Sequence, residues 1–269
     1  GEGPLRIAHY PGDASYYHLQ GGTLLVTGSA SRISLCIDGT GVWNVAAGTA
    51  MVTRIDVNGR SATGHGFLNV SGGVVRVGAG GINGIVPYQA TFAGGTLSAL
   101  AGYSVAVTSS LSGAVGPLRV DPNGQTIRWD AAVGGPGGLV VDGAGTLAMN
   151  GEYAAGPLAV SNGVLGGTGT VNAAVSVTAP AILQPGYALV AGPLTVSAAT
   201  FGASAQFQPL INGTSSVLRV STTNGLTVPA GADVLRVNVL NTSLVVGTYT
   251  LIDYEGSIQG GVDTNIVLY

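Results

Sequence analysis

The sequence predicts an all-β protein, a right-handed parallel β-helix (β-solenoid) with non-repeat terminal segments. Three observations support this fold class: strand-like alternation dominates the 269 residues, 46 of them are glycine, and only 8% are charged. No window sustains apolar residues at helical spacing without meeting Gly or Pro, so long helices are not expected. The 46% hydrophobic content is sufficient for an extended core.

Short alternating segments bounded by turn residues occur along the whole chain. Clear examples lie at 23–28, 67–78, 103–111, 192–198 and 233–240. Segments of this length, rich in Val, Leu and Thr, are typical of β-strands. We therefore expect many short strands connected by tight turns.

Degenerate repeats indicate how these strands are arranged. The tripeptide Gly-Pro-Leu begins at Gly116, Gly156 and Gly192, at spacings of 40 and 36 residues. Repeated strand–turn–strand units are typical of coils that wind around one axis. If these spacings cover pairs of coils, each coil takes roughly 18 to 20 residues, and about nine or ten coils stack into a rod of roughly 45 Å.

The two ends of the chain lack this repeat, and we expect them to form separate units. Residues 1–20, which contain three of the ten tyrosines and two of the three histidines, are predicted to form an N-terminal arm or cap. Residues 21–200 are predicted to form the β-solenoid, and residues 201–269 a C-terminal β cap. A closed sandwich of unrelated strands is the alternative fold.

One stretch of the chain resembles a known repeat family. Residues 137–186 begin with GGLVVDGAGTLAMNGEYAAGPLAV and continue through GTGTV to ILQPG, and this order of segments resembles the autotransporter-associated β-strand repeat. The resemblance implies a parallel β-helix that is secreted or displayed on a bacterial surface. It supplies no catalytic residues.

The charge pattern excludes several function classes. All nine basic residues are arginine and there is no lysine, so catalysis through a lysine Schiff base is impossible. The arginines are dispersed and the formal net charge is −3, whereas nucleic-acid binding requires a basic cluster. We therefore expect no nucleic-acid partner. No run of eighteen uninterrupted apolar residues occurs, so we expect no membrane span.

Acidic residues are the main candidates for chemistry, because paired carboxylates can cleave glycosidic bonds. The densest charged group consists of Asp121, Asp130, Asp142, Arg119 and Arg128. Asp121 begins the tetrapeptide DPNG and Asp142 begins DG, both typical of turns. Asp56 begins the similar DVNG. We expect these carboxylates to form turns and predict no catalytic residue, no enzyme activity and no bound calcium.

Metal and cofactor sites are also not expected. The three histidines, His9, His18 and His65, are too few and too dispersed for a metal set, and the single cysteine, Cys36, forms no CxxC motif. Cys36 alternates with three apolar neighbours in RISLCID, which predicts a small, half-buried side chain on the opposite face of its strand. An interchain disulfide is the alternative.

The two termini contain candidate residues for self-association. The predicted assembly interface consists of Tyr10, Tyr16, Tyr17, Ile266, Val267, Leu268 and Tyr269. We expect a secreted or cell-surface bacterial protein with a structural or adhesive role that polymerises end to end into a filament. Its further partner would be a cell-surface glycan or matrix. The alternative is a β-helix protein that binds or cleaves polysaccharide.

Overall fold

The structure, a computed structural model, describes residues 4–58, 63–212, 214–230, 235–243, 245–260 and 266–268, of which 241–243 and 266–268 are described as backbone only. No helix occurs among the described residues, which confirms the all-β prediction. The strands are β1 (Leu5–Ala8), β2 (Ala14–Val26), β3 (Ile33–Cys36), β4 (Thr40–Asp56), β5 (His65–Val70), β6 (Val74–Asn83), β7 (Tyr88–Phe92), β8 (Thr96–Ala99), β9 (Tyr103–Val105), β10 (Ser109–Leu111), β11 (Leu118–Asp121), β12 (Thr126–Trp129), β13 (Val133–Gly134), β14 (Leu139–Met149), β15 (Glu152–Ala154), β16 (Leu158–Gly167), β17 (Thr170–Val177), β18 (Ile182–Pro185), β19 (Leu194–Phe201), β20 (Gln206–Phe207), β21 (Leu210–Asn212), β22 (Thr214–Ser215), β23 (Leu218–Val220), β24 (Leu226–Val228), β25 (Leu235–Val237), β26 (Leu240–Ser243), β27 (Ile252–Tyr254), β28 (Gln259–Gly260) and β29 (Ile266–Leu268).

These strands stack in parallel on three sides of a common core. The first side begins with β1 and β3 and continues through the C-terminal part of β4. The second side begins with the N-terminal half of β2, and the third with its C-terminal half, each paired with the matching part of β4. Every pair in the large sheet is parallel across coils, which confirms the β-solenoid and excludes the sandwich.

Residues 139–158 show one complete coil. Leu139–Val141 lies on the third side, Thr146–Met149 on the first and Glu152–Ala154 on the second. The chain then returns to the third side, where Leu158 pairs with Leu139 of the preceding coil. The segment from Gly137 to Gly151 thus covers two of the three sides.

The coils differ in length along the chain. In its middle part Leu165 pairs with Leu147, and the stretch between them has the length that the repeats predict for one coil. In contrast, the pairing of Ile266 with Leu235 near the C-terminal end closes a coil that is clearly longer. The predicted coil length therefore holds in the middle of the chain, and the flanking coils contain longer turns.

Solenoid strands are present inside both segments that the sequence assigned to terminal units. β1 and β2 pair in parallel with β3 and β4, and β23, β24 and β25 continue the same ladders beyond residue 200. β2 runs across residue 20 and β19 runs across residue 200, so neither strand ends at the predicted boundary. A different arrangement occurs in the small sheet of β21, β22 and β26, where β21 and β22 are antiparallel.

The core consists of inward-facing side chains stacked in register. On the second side, Trp43 pairs with Leu68 and Leu68 with Ala90. Phe92 and Trp129 meet from different sides of the solenoid with ring centroids 6.0 Å apart in an edge-to-face arrangement. Because every coil covers its neighbours, burial is continuous along the axis.

Candidate functional site

The predicted acidic cluster is divided between two sides of the solenoid. Val120 pairs with Val141, so Asp121 and Asp142 follow one another on adjacent strands of the third side. Asp130 directly follows β12 on the first side. The structure therefore brings together two of the three aspartates and separates the third.

Each of these carboxylates has a structural partner. Asp121 Oδ1 accepts the backbone N–H of Asn123 at 2.9 Å, and Ser98 Oγ donates to Asp121 Oδ2 at 3.1 Å, so the turn role expected of Asp121 is confirmed. The turn expected at Asp142 is not formed, because this residue lies within β14, where its carboxylate forms an ion pair with Arg119. In the same way, Asp130 accepts from Arg128 Nη2 at 2.7 Å and from Asn150 Nδ2 at 2.9 Å.

A second group of charged residues, which the sequence did not reveal, lies at the corner between the third and first sides in three consecutive coils. The corner encloses a groove of about 470 Å³. Its lining consists of Ser29, Ala30, Ser31, Arg32, Thr53, Arg54, Ala79 and Gly80. We call this feature the arginine groove.

A buried carboxylate holds both arginines of the arginine groove. Asp56 is only 4% exposed. Arg54 Nε donates to Asp56 Oδ1 at 2.7 Å, and Arg32 Nε lies 3.5 Å from Asp56 Oδ2. The expectation that Asp56 forms a turn is therefore wrong, because it ends β4 and binds two cations. The sequence Arg54-Ile55-Asp56 places two opposite charges on the same face of a strand, and this pattern could have indicated the ion pair.

The loop at one wall of the groove is fixed by hydrogen bonds, yet one buried hydroxyl beside it has no partner. Thr53 Oγ1 donates to Gly28 O at 3.1 Å and accepts from Gly28 N at 3.2 Å. In contrast, Ser31 Oγ is buried without a hydrogen-bond partner among the described residues. Arg32 Nε also makes no hydrogen bond among them, but it forms the ion pair with Asp56 described above. Unpaired buried polar atoms are uncommon and costly.

A neutral polar surface occupies the outer face of the second side. Asn69 Nδ2 donates to Asn44 Oδ1 at 2.8 Å, and Asn44 Nδ2 lies 3.2 Å from His18 Nδ1. The rings of Tyr16 and His18 stack with centroids 6.3 Å apart. We call these four residues the amide ladder.

The residues predicted for assembly occupy different environments. Tyr10 and Tyr16 are 66% and 65% exposed, whereas Tyr17 is partly buried and packs against the core. The segment Ile266–Leu268 forms β29, which pairs with β25. Tyr269 lies outside the described residues.

The single cysteine is fully buried, contrary to the half-buried position expected from alternation. Cys36 is 0% exposed, and its Sγ lies 4.0 Å from Val57 O. A side chain at Gly64 would come within 3.1 Å of this sulfur, so the following coil covers the outer face of β3. In this fold the thiol cannot reach a cysteine of another chain.

Within the described part of the chain, no group of three or more His, Cys, Asp or Glu residues could hold a metal ion. The same residues include no helix with the length and apolarity needed to cross a membrane. Comparison with family models, curated proteins and solved structures found no match.

Proposed function

We propose that this protein is a structural or adhesive β-solenoid of the bacterial cell surface or its surroundings, whose copies associate end to end into a filament. The observation that carries the proposal is the open edge of the first coil. Within the described chain, β1 pairs only with β3, and β2 pairs only with β4. Open strand edges present unpaired N–H and C=O groups that pair readily with another strand.

The opposite end of the solenoid has a matching edge. β27, β28 and β29 each pair with the preceding coil and with no later strand among the described residues. Parallel coils of the same chirality can therefore continue from one copy to the next. A head-to-tail contact of this kind propagates as a filament when it does not close into a ring.

The surface chemistry supports the same proposal. With 8% charged residues, mutual repulsion between copies is weak. The exposed rings of Tyr10 and Tyr16 add apolar area near the open edge. The extracellular location rests on this composition and on the resemblance of residues 137–186 to the autotransporter-associated repeat.

A substitution at Tyr16 tests the edge contact. Thr40 N donates to Asp13 O at 2.7 Å, and backbone groups alternate in direction along a strand, so the N–H of Tyr16 points away from β4. Y16P removes this edge donor without removing a bond to β4. We expect wild-type protein to form filaments visible by electron microscopy, and Y16P to remain monomeric by light scattering.

The matched control is Y16A, which removes the ring and retains the N–H. It is expected to polymerise. Wild-type protein that stays monomeric at high concentration, or equal polymerisation of wild type and Y16P, would contradict the proposal. Circular dichroism confirms that the variants keep their β structure.

The amide ladder favours a second candidate function, the binding of neutral polysaccharide. Its amides can bond to sugar hydroxyls, and the exposed ring of Tyr16 offers an apolar face for a sugar ring. Sedimentation with insoluble neutral polysaccharides tests this function. N44A should reduce binding, whereas N172A, which removes a surface amide bonded to Glu152 on a later coil, should not.

A further inference from the structure

We propose that the arginine groove binds the anionic group of an acidic polysaccharide, a uronate carboxylate or a sulfate ester. The groove lies on a lateral corner of the solenoid, formed by three consecutive coils. Binding there does not depend on end-to-end assembly, so this inference is separate from the proposed filament.

The charge of the groove favours an anion. Arg32 and Arg54 provide two positive charges, and among the described lining residues and their partners only Asp56 provides a negative one. The guanidinium side chains are 42% and 45% exposed, whereas the Asp56 side chain is 6% exposed. The excess positive charge therefore faces the groove from a chain whose formal net charge is −3.

The arginines are held in place before any ligand arrives. Asp56 engages the Nε edge of Arg54 at 2.7 Å and lies 3.5 Å from that of Arg32. No hydrogen bond among the described residues uses the terminal Nη atoms of either side chain. Guanidinium groups fixed in this way can bind carboxylate or sulfate oxygens with little loss of conformational entropy.

A buried unpaired hydroxyl gives an independent indication of a ligand. Ser31 is 2% exposed, lines the groove, and its Oγ has no partner among the described residues. An oxyanion in the groove supplies an acceptor for this hydroxyl and offsets its desolvation cost.

The size and isolation of the groove point to a single charged group on a sugar chain. A volume of about 470 Å³ is within the range of small-ligand sites and accommodates a sugar unit. Nucleic acid requires a longer row of cationic contacts than two arginines provide. Serine hydroxyls and small side chains in the lining leave room for a sugar ring beside the arginines.

Calorimetric titration with trigalacturonic acid at low salt tests the proposal. We expect measurable binding that weakens as salt is added, and no binding of the neutral trisaccharide maltotriose. R32Q and R54Q should each weaken binding about tenfold or more. R128Q is the matched control, because Arg128 is 46% exposed and also pairs with one aspartate, and it should bind as the wild type does.

Substitutions at Ala79 test the charge without disturbing the ion pairs, because this lining residue is exposed. A79E should abolish trigalacturonate binding and A79K should strengthen it, whereas A79Q controls for size. Equal affinity of A79E, A79Q and wild type would overturn the proposal, as would the absence of binding to the acidic trisaccharide. Binding of inorganic sulfate alone, without the trisaccharide, would overturn the polysaccharide source.

Discussion

At the scale of single residues, glycine is required where the chain turns the corner from the first side of the solenoid to the second. A Cβ atom added at Gly41 would lie 1.5 Å from Leu35 O, and one added at Gly66 would lie 1.5 Å from Val57 O. These contacts involve backbone atoms, which cannot move aside as a flexible side chain does. The turn of each coil is therefore compatible only with glycine at these positions.

We expect G41A to destabilise the protein severely, by about 3 kcal/mol or more, because the backbone on the two sides of this corner must separate. G21A is the matched control, since a Cβ atom there meets nothing within 4 Å. It should change the free energy of unfolding by no more than about 0.5 kcal/mol. Urea denaturation followed by circular dichroism measures both. Similar stability of the two variants would show that Gly41 is replaceable.

Two buried tyrosines differ in whether their hydroxyl has a partner. Tyr153 donates to Gly156 O at 2.8 Å, whereas Tyr103 OH is buried without a hydrogen-bond partner among the described residues. Y153F should therefore lose about 1 kcal/mol of stability, and Y103F should be neutral or stabilising. Comparison of the urea midpoints of the two variants at neutral pH tests this difference. Equal changes in midpoint would show that the two hydroxyl groups contribute to stability in the same way.

Burial raises the pKa of both Tyr103 and Tyr153 well above the ordinary value for tyrosine. The unfolded chain, with tyrosine pKa values of about 10, then binds fewer protons than the folded chain at alkaline pH. Stability should fall as the pH rises above about 10. In Y103F this fall should be smaller, and an unchanged slope of unfolding free energy against pH would contradict the assignment.

At the scale of the strand, the first coil has one paired edge and one open edge. Alternate N–H groups of β2 point toward β4, as the bond from Thr40 N to Asp13 O indicates for this part of the ladder. In dilute protein, hydrogen exchange should therefore be slow at Ser15 and Tyr17 and fast at Tyr16 and His18. This alternation is measurable by NMR.

Exchange at the open edge should also depend on protein concentration. If end-to-end pairing occurs, Tyr16 and His18 gain protection as the concentration rises, whereas the protection of Ser15 and Tyr17 stays the same. Protection of all four amides already present at the lowest concentration would mean that the edge is covered within one chain.

At the scale of the whole molecule, the carboxylates that could perform glycosidic chemistry are bound to structural partners. Asp121 and Asp130 lie on different sides of the solenoid, and both accept hydrogen bonds from neighbouring residues. We expect no release of reducing ends or unsaturated sugars from a panel of polysaccharides. Cleavage activity that disappears in D121A or D130A would contradict this expectation.

The sequence by itself determined the strand content, the glycine-rich corners and the parallel stacking, because these depend on local alternation and short-range repeats. It did not determine which side of the solenoid each repeat occupies. Leu118 and Leu158 of two Gly-Pro-Leu repeats both lie on the third side, whereas Leu194 of the third repeat lies on the second. Corners between different sides of the solenoid need the same turn residues, such as Gly and Pro. The same short sequence therefore recurs on strands that do not lie in the same stack.

Only the tertiary structure assembled the arginine groove. Arg32 and Arg54 belong to successive coils, and the register that pairs Ile33 with Ile55 brings both to Asp56. Coil length varies along the chain, so no fixed period could predict this register. Strand formation depends on neighbouring residues, whereas a site formed by successive coils depends on the length of every turn between them.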